Sequence, residues 1–316
     1  MSIMSIDRTV LVTGASGHLG RRVLELALAA GARSIIATTR YPDRLMDFAR
    51  RGVVVRWADF DKPESLQPAF AGARRMLLVG GIDAAGGGER TGASDVDVGL
   101  AASPDITRTD QRRRHAAAVA AAEAVGIEHI VYTSLARADT SRLAVAADHV
   151  AAERRIATTR LGYTVLRTSV FTEMLSTVLP SAIASGMLFG LPGDGGVSYI
   201  TRDDIAFAAA TALLSATGRS TLELTGPEVI RRAPLARITT EVTFKDVLYV
   251  ALPPDELARR WQAAGLPSAL LLQLEEASVD GQFAFTTTDF MRLTGREPTE
   301  VYDYLAANRR TLVRAA

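Results

Sequence analysis

The stretch Thr9-Val10-Leu11-Val12-Thr13-Gly14-Ala15-Ser16-Gly17-His18-Leu19-Gly20 joins an apolar run of strand length to three closely spaced glycines and then to an Ala/Leu-rich helical pattern. Few folds accommodate that order. Gly14 supplies the backbone angles of a tight turn, Gly17 has no Cβ to hold off a phosphate, and Gly20 lets the next helix pack close to the sheet. A helix from His18 to about Ala30 turns its unpaired N–H groups and the positive end of its dipole toward an anion. Strand, glycine loop and helix together predict a pyrophosphate cradle, with Ser16, His18 and Leu19 joining the three glycines in cofactor contact.

Which dinucleotide it takes turns on the end of the second strand. The run Ser34-Ile35-Ile36-Ala37-Thr38-Thr39 has the right length, and an NAD site usually places Asp or Glu after it to bond the adenine ribose. Arg40 stands there instead, with Arg44 close behind. A planar, permanently charged guanidinium pairs with a 2′-phosphate, so NADPH is expected over NADH. The alternative is a pair of solvated loop charges.

A chain of 316 residues exceeds one comfortable core. It predicts a Rossmann-like NAD(P)-binding domain over residues 1–185 and a mainly substrate-side lobe over residues 186–316. A net charge of +1 argues against a nucleic-acid partner. The absence of cysteine excludes disulfides, a thiolate nucleophile and a thiol-based metal site, and no metal is expected. No apolar run approaches the roughly 18 residues of a membrane span and the first residues do not read as a secretory signal, so a cytoplasmic protein, monomer or homodimer, is expected.

Further apolar runs at Val53–Trp57, Met76–Val79, Ile130–Thr133 and Thr164–Arg167 alternate with helical patterns, which implies right-handed crossovers and a doubly wound parallel α/β sheet. Cofactors bind outside the carboxyl ends of such strands. The candidates are therefore Ala58, Asp59 and Phe60; Gly80, Gly81 and Ile82; Thr133 and Ser134; and Thr168, Ser169, Val170 and Phe171. Asp59 and Phe60 would flank adenine, while the last two groups approach the nicotinamide. Ile82, Val170, Phe171 and Met174 are the expected substrate contacts.

One segment breaks the rhythm. From Gly80 to about Asp110 the chain is rich in Gly, Ala, Ser and Asp, too long for an ordinary connection, and its insertion at about 83–105 fits either a substrate-covering lid or a disordered surface insertion. Arg112, Arg113 and Arg114 then open a helix running through Ala124, read as a solvated face. Beyond residue 185 we expect a turn-rich stretch from Gly186 to Gly196, strands at Val197–Thr201 and Asp246–Leu252, and helices from Asp203 to Leu214, Asp255 to Ala264 and Val301 to Arg309.

Several of these residues also carry a resemblance. The loop Gly14 to Gly20, Arg40, Tyr132-Thr133-Ser134-Leu135, Ala138-Asp139-Thr140-Ser141, Ala147-Asp148-His149 and Thr201-Arg202-Asp203-Asp204-Ile205-Ala206 resemble the atypical short-chain dehydrogenases/reductases of the NmrA-like group. Within it the chain is most similar to the type 2 NADPH:quinone oxidoreductases and the triphenylmethane reductases. The insertion departs from those relatives, so their substrate pocket does not transfer.

In ordinary short-chain enzymes the catalytic unit is a Tyr followed four residues later by Lys. Resemblance to the isoflavone-reductase-like branch sets His149 at the lysine place and Val145 at the tyrosine place, so neither catalytic residue is present. Tyr132, Ser134 and His149 become the candidate catalytic groups, with His149 either binding the nicotinamide ribose or donating a proton. Reduction of a simple ketone needs a positioned acid. A quinone yields a phenolate-like product, and a cationic dye or imine acceptor is merely neutralised, so orientation matters more. The resemblance implies direct hydride transfer from NADPH to a small aromatic or conjugated substrate. The alternative from another class is a non-catalytic NADP(H)-sensing regulator of NmrA type; a reductase of imines or conjugated bonds in a biosynthetic pathway stays within hydride chemistry.

Overall fold

The computed structural model describes residues 8–80 and 108–316. Its first part alternates β1 (Val10–Val12), α1 (His18–Ala29), β2 (Ile35–Thr39), α2 (Met46–Ala49), β3 (Val54–Trp57), α3 (Leu66–Phe70), β4 (Arg75–Leu78), α4 (Arg108–Ala124), β5 (His129–Leu135), α5 (Ala146–Ala157) and β6 (Gly162–Thr168). The chain continues through α6 (Leu175–Ser185), β7 (Met187–Gly190), β8 (Gly196–Val197), α7 (Arg202–Ser215), β9 (Arg219–Leu224) and β10 (Ile230–Arg231). It ends with α8 (Arg232–Thr243), β11 (Leu248–Ala251), α9 (Pro254–Ala263), α10 (Ser268–Val279), α11 (Asp289–Thr294) and α12 (Val301–Ala315).

Among the described residues the main sheet has seven strands in the order β3-β2-β1-β4-β5-β6-β9. Every neighbouring pair is parallel, with Leu11 opposite Ile36 on one side and Met76 on the other. The order reverses beside β1, so a crevice opens there at the carboxyl edge. Every residue of β1, β2, β4 and β5 is buried, as expected for strands covered on both faces. Leu11, Met76 and Ile130 pack beneath α3, α4 and α5. Val10, Leu77 and Val131 pack on the opposite side, toward α1 and α7.

A second core gathers around Leu179, Leu235, Leu257 and Phe283, enclosed by α6, α8, α9, α10 and α12 with two short sheets. The chain is not divided cleanly at residue 185. α7 lies against α1, β9 forms the far edge of the main sheet, and Phe290 of α11 belongs to the nucleotide-side core. Residues past 185 therefore build both parts.

Three expectations shift for physical reasons. The extended segment expected at 197–201 keeps strand pairing at Gly196 and Val197, because beyond them Ser198 N–H donates to Phe283 and Ile200 N–H to Val170, which are different partners. The stretch expected to be turn-rich, Gly186 to Gly196, also contains β7, held by its parallel register with β11. The last helix continues past Arg309 to Ala315 because Leu312 closes the second core.

Candidate active site

The glycine loop forms a cradle at the start of α1. Gly14 adopts a φ of +58°, and its carbonyl accepts the Gly17 N–H at 3.0 Å. A Cβ built on Gly20 would stand 2.4 Å from the Gly14 oxygen and 2.8 Å from Ala15 Cα, so the close approach that requires this glycine is to the loop's own backbone. No side chain caps the helix at Gly17 and its first turn holds no acidic residue, which leaves the positive end of the dipole unopposed. These features suit a pyrophosphate. Ser16 Oγ and Thr39 Oγ1, 2.7 Å apart, tie the loop to the end of β2.

From this cradle a solvent-open cleft of about 950 Å³ runs along the carboxyl edge. Of the residues expected to hold the cofactor, Gly14, Ser16, Gly17, Arg40, Asp59 and Phe60 line it. Arg44 lines it too, with its guanidinium 4.6 Å from the Tyr41 ring centroid. His18, Leu19 and Gly20 form the first turn of α1 and are not on the cleft wall. Gly80, Thr133 and Thr168 instead join the strand ends: Gly80 N–H donates to Thr133 Oγ1 at 2.9 Å, and Thr168 Oγ1 to the Ser134 carbonyl at 3.1 Å. Just past β4, Gly80 also lies close against β5, since a Cβ there would fall 2.0 Å from the Thr133 oxygen. Gly81, Ile82 and the insertion at 83–105 lie outside the described residues.

The cleft has a wall that sequence reasoning did not anticipate, made by Gln111, Arg114 and His115 of α4. The helix begins at Arg108, ahead of the expected start, and its arginines are not simply a solvated face. Arg114 is largely buried and forks onto Asp61, with Nε 2.7 Å from Oδ1, which holds the Asp61 carboxyl below its usual range. Arg112 donates to the buried Asp148 at 2.6 Å. The discoverable signal was the stripe Gln111, His115, Ala118, Ala122, a buried helix face whose first turns are polar.

Beneath that wall lies a cluster of rings. Tyr132 Oη and His149 Nδ1 are 3.0 Å apart, and the Tyr132 and His115 rings meet edge-on with centroids 5.5 Å apart. Burial pushes His149 down to about 4 and His115 to about 3, and raises the Tyr132 phenol. At neutral pH both imidazoles are uncharged. An uncharged ring of this kind can orient a neighbouring group through its nitrogens without carrying charge into the core. Ser134 is also inside the protein, donating to Glu153 at 2.6 Å; Glu153 in turn holds Arg167 at 2.7 and 3.0 Å.

At the end of β6 a second, solvent-open cavity of about 490 Å³, the adjoining solvent included, enters the C-terminal lobe, with Val170 and Met174 on its wall. Phe171, the third described substrate candidate, is not on that wall: it bridges to Ile200 and packs between the two cores. Among the described residues no group of acidic and histidine side chains could hold a metal, and no helix is long and apolar enough to cross a membrane.

Comparison with known proteins agrees with this layout. Residues 14–216 match the family model described as NAD(P)H-binding. Quinone oxidoreductase 2 of Escherichia coli is 31% identical over 272 residues, covering 85% of this chain and 87% of its own. Among solved structures, Citrobacter sp. triphenylmethane reductase complexed with NADP(H) superposes with a TM-score of 0.82 at 30% identity, covering 95% of this chain and 99% of that one. The Escherichia coli NADPH-dependent quinone oxidoreductase complexed with NADPH gives 0.80 at 28% identity, with the same coverage.

Proposed function

Because this chain belongs to the NAD(P)H-binding, NmrA-like group of atypical short-chain dehydrogenases/reductases, we propose that it transfers hydride from NADPH directly to a flat, conjugated electrophile of the quinone, cationic dye or imine type. The observation that carries the cofactor preference is the placement of Arg40 and Arg44 on the cleft wall beyond the glycine cradle, where a carboxylate would repel a 2′-phosphate. Relatives solved with NADP(H) and NADPH support the same preference.

Bound NADPH supplies the hydride; the protein binds, orients and excludes water. Gly14, Ser16 and Gly17 would receive the pyrophosphate, Arg40 and Arg44 the 2′-phosphate, and Asp59 and Phe60 the adenine. Tyr132 holds the His149 ring, which would position the nicotinamide ribose, while Ser134 would act as a positioning residue through Glu153. Val170 and Met174 start the acceptor's binding surface. No strong acid is needed, because a quinol-type product has a pKa near the tyrosine value of about 10 and takes its proton from solvent.

The test is NADPH oxidation against a panel of quinones, cationic triarylmethane dyes and cyclic imines, with NADH and Gly17→Asp as controls. Turnover that the variant loses identifies the acceptor class. Tight NADPH binding without turnover across the panel replaces this proposal with the cofactor-sensing reading.

A further inference from the structure

The wall of the C-terminal cavity is apolar over most of its extent, formed by side chains such as Val170, Leu175, Phe189, Trp261 and Leu274. Into this wall the fold sets a buried ionic network. Arg232, the first residue of α8, directs Nε at 3.0 Å and a terminal nitrogen onto the two oxygens of Glu275 on α10, and its other nitrogen donates to Tyr199 Oη at 2.9 Å. Glu275 Oε1 also accepts the Leu191 N–H at 3.1 Å. Glu275 is 2% and Tyr199 3% exposed. Burying such a pair without a return is unfavourable, since apolar side chains of equal volume often stabilise a core as well or better.

The network leaves one donor uncommitted. Tyr199 Oη accepts a hydrogen bond from Arg232, and among the described residues nothing accepts the tyrosine's own hydrogen. The other hydroxyl on this wall, that of Ser278, is already given to the Leu274 carbonyl at 2.6 Å. Burial raises the Tyr199 phenol above its ordinary value, so it stays a donor through the neutral range. Val170 connects this cavity to the end of β6, the edge at which a parallel sheet of this kind presents its cofactor.

We propose that Tyr199, held by Arg232 and Glu275, is a specificity-determining anchor that donates a hydrogen bond to a carbonyl oxygen of the acceptor, whose rings lie among the apolar side chains of the cavity. This rests on the reductase reading and narrows it: the favoured acceptors are carbonyl-bearing conjugated rings such as quinones. Bound NADPH would give up one C–H bond as hydride to the quinone, whose two-electron reduction leaves a single phenolate-type C–O⁻; Tyr199 would stabilise that oxyanion by hydrogen bonding, and one proton from solvent would complete the quinol.

Trp57 and Trp261 are the two tryptophans of the chain, and Trp261 lines the cavity while Trp57 lies exposed on β3. In a Trp57→Phe background, Trp261 fluorescence therefore reports occupancy. The probes are 1,4-naphthoquinone and naphthalene, which match in shape and differ in the carbonyls; with no cysteine present, the quinone has no thiol to alkylate. We expect saturable quenching by both, tighter for the quinone, with Tyr199→Phe weakening quinone binding about tenfold and leaving naphthalene unchanged. An equal loss for both probes, no loss for either, or no quenching in the parent overturns the proposal. If Tyr199→Phe does not fold, infrared difference spectra of the quinone bound to the unmutated protein decide: a carbonyl stretch moved to lower frequency supports the anchor and an unmoved one overturns it. Quenching with the expected Tyr199 dependence, but no NADPH oxidation with any acceptor, would defeat the reductase reading while leaving the anchor standing.

Discussion

Tyr132 Oη and His149 Nδ1 stand 3.0 Å apart beneath the carboxyl edge of the sheet, joining β5 to α5 through two rings that solvent barely reaches. The contact holds the plane of the histidine ring. Burial makes the charged imidazole unfavourable in the fold, although Glu153 and Asp148 act in the opposite sense. His149 titrates near 4 when folded, against about 6.5 in the unfolded chain. Between those values the unfolded state binds the extra proton, so stability is complete above about pH 6.5 and declines as pH falls toward 4. The slope is about 1.4 kcal/mol per pH unit for each such histidine. Urea unfolding at pH 6.5 and 5 should show this fall, and His149→Gln should flatten it. A slope unchanged by the substitution would mean that His149 is already protonated in the native protein.

Arg40→Ala should raise the KM for NADPH roughly 10- to 100-fold, the loss expected for a charge-assisted contact, while NADH kinetics change little. The paired measurement matters more than either value. Equal effects on both cofactors would place Arg40 outside 2′-phosphate recognition.

Gly20→Ala introduces a methyl group against the Gly14 carbonyl and the Ala15 backbone, which cannot swing aside as a flexible side chain would. Overpacking of this kind destabilises by about 1–3 kcal/mol. The thermal midpoint should drop, and the stabilisation produced by added NADPH should shrink, because the displaced loop is the cradle. A normal cofactor-induced shift would show that the loop tolerates the methyl group.

Asp204 is nearly inaccessible and joins the start of α7 to the segment ahead of α12. It accepts from Thr201 Oγ1 at 2.7 Å, Arg296 at 2.8 Å and the Thr299 N–H at 2.9 Å, while Thr201 caps the Asp204 N–H in return. Asp204→Ala leaves these donors unmatched and should lower unfolding free energy by about 3–5 kcal/mol in chemical denaturation. Asp204→Asn should lose less. Equal losses would mean that the charge, rather than the hydrogen-bonding shape, dominates.

The parallel sheet was legible because its strands are short continuous apolar runs, a pattern set by burial on both faces, and because the glycine loop has a local geometric reason to exist. Arg40 was legible from its distance along the chain. The α4 wall was not: the long segment before Arg108 hides the helical phase, so three consecutive arginines read as surface although Arg114 points into the cleft beside His115. Nor was the alliance of Tyr199, Arg232 and Glu275, which come from the segment after β8, from α8 and from α10, with no sequence spacing to link them. Tyr132 and His149 were identified, but their seclusion depends on packing by α4, which local pattern does not encode.

The repeated passage of the chain between the two cores has a mechanical consequence. It leaves the sheet after β6, returns for α7 and β9, leaves again at β10, and comes back for α11 before α12. A lobe tethered by one strand could swing like a door; this one is laced to its neighbour at many points. Large rotation would have to peel β9 from the rim of the sheet, so the frame around the C-terminal cavity is braced by the path of the chain itself.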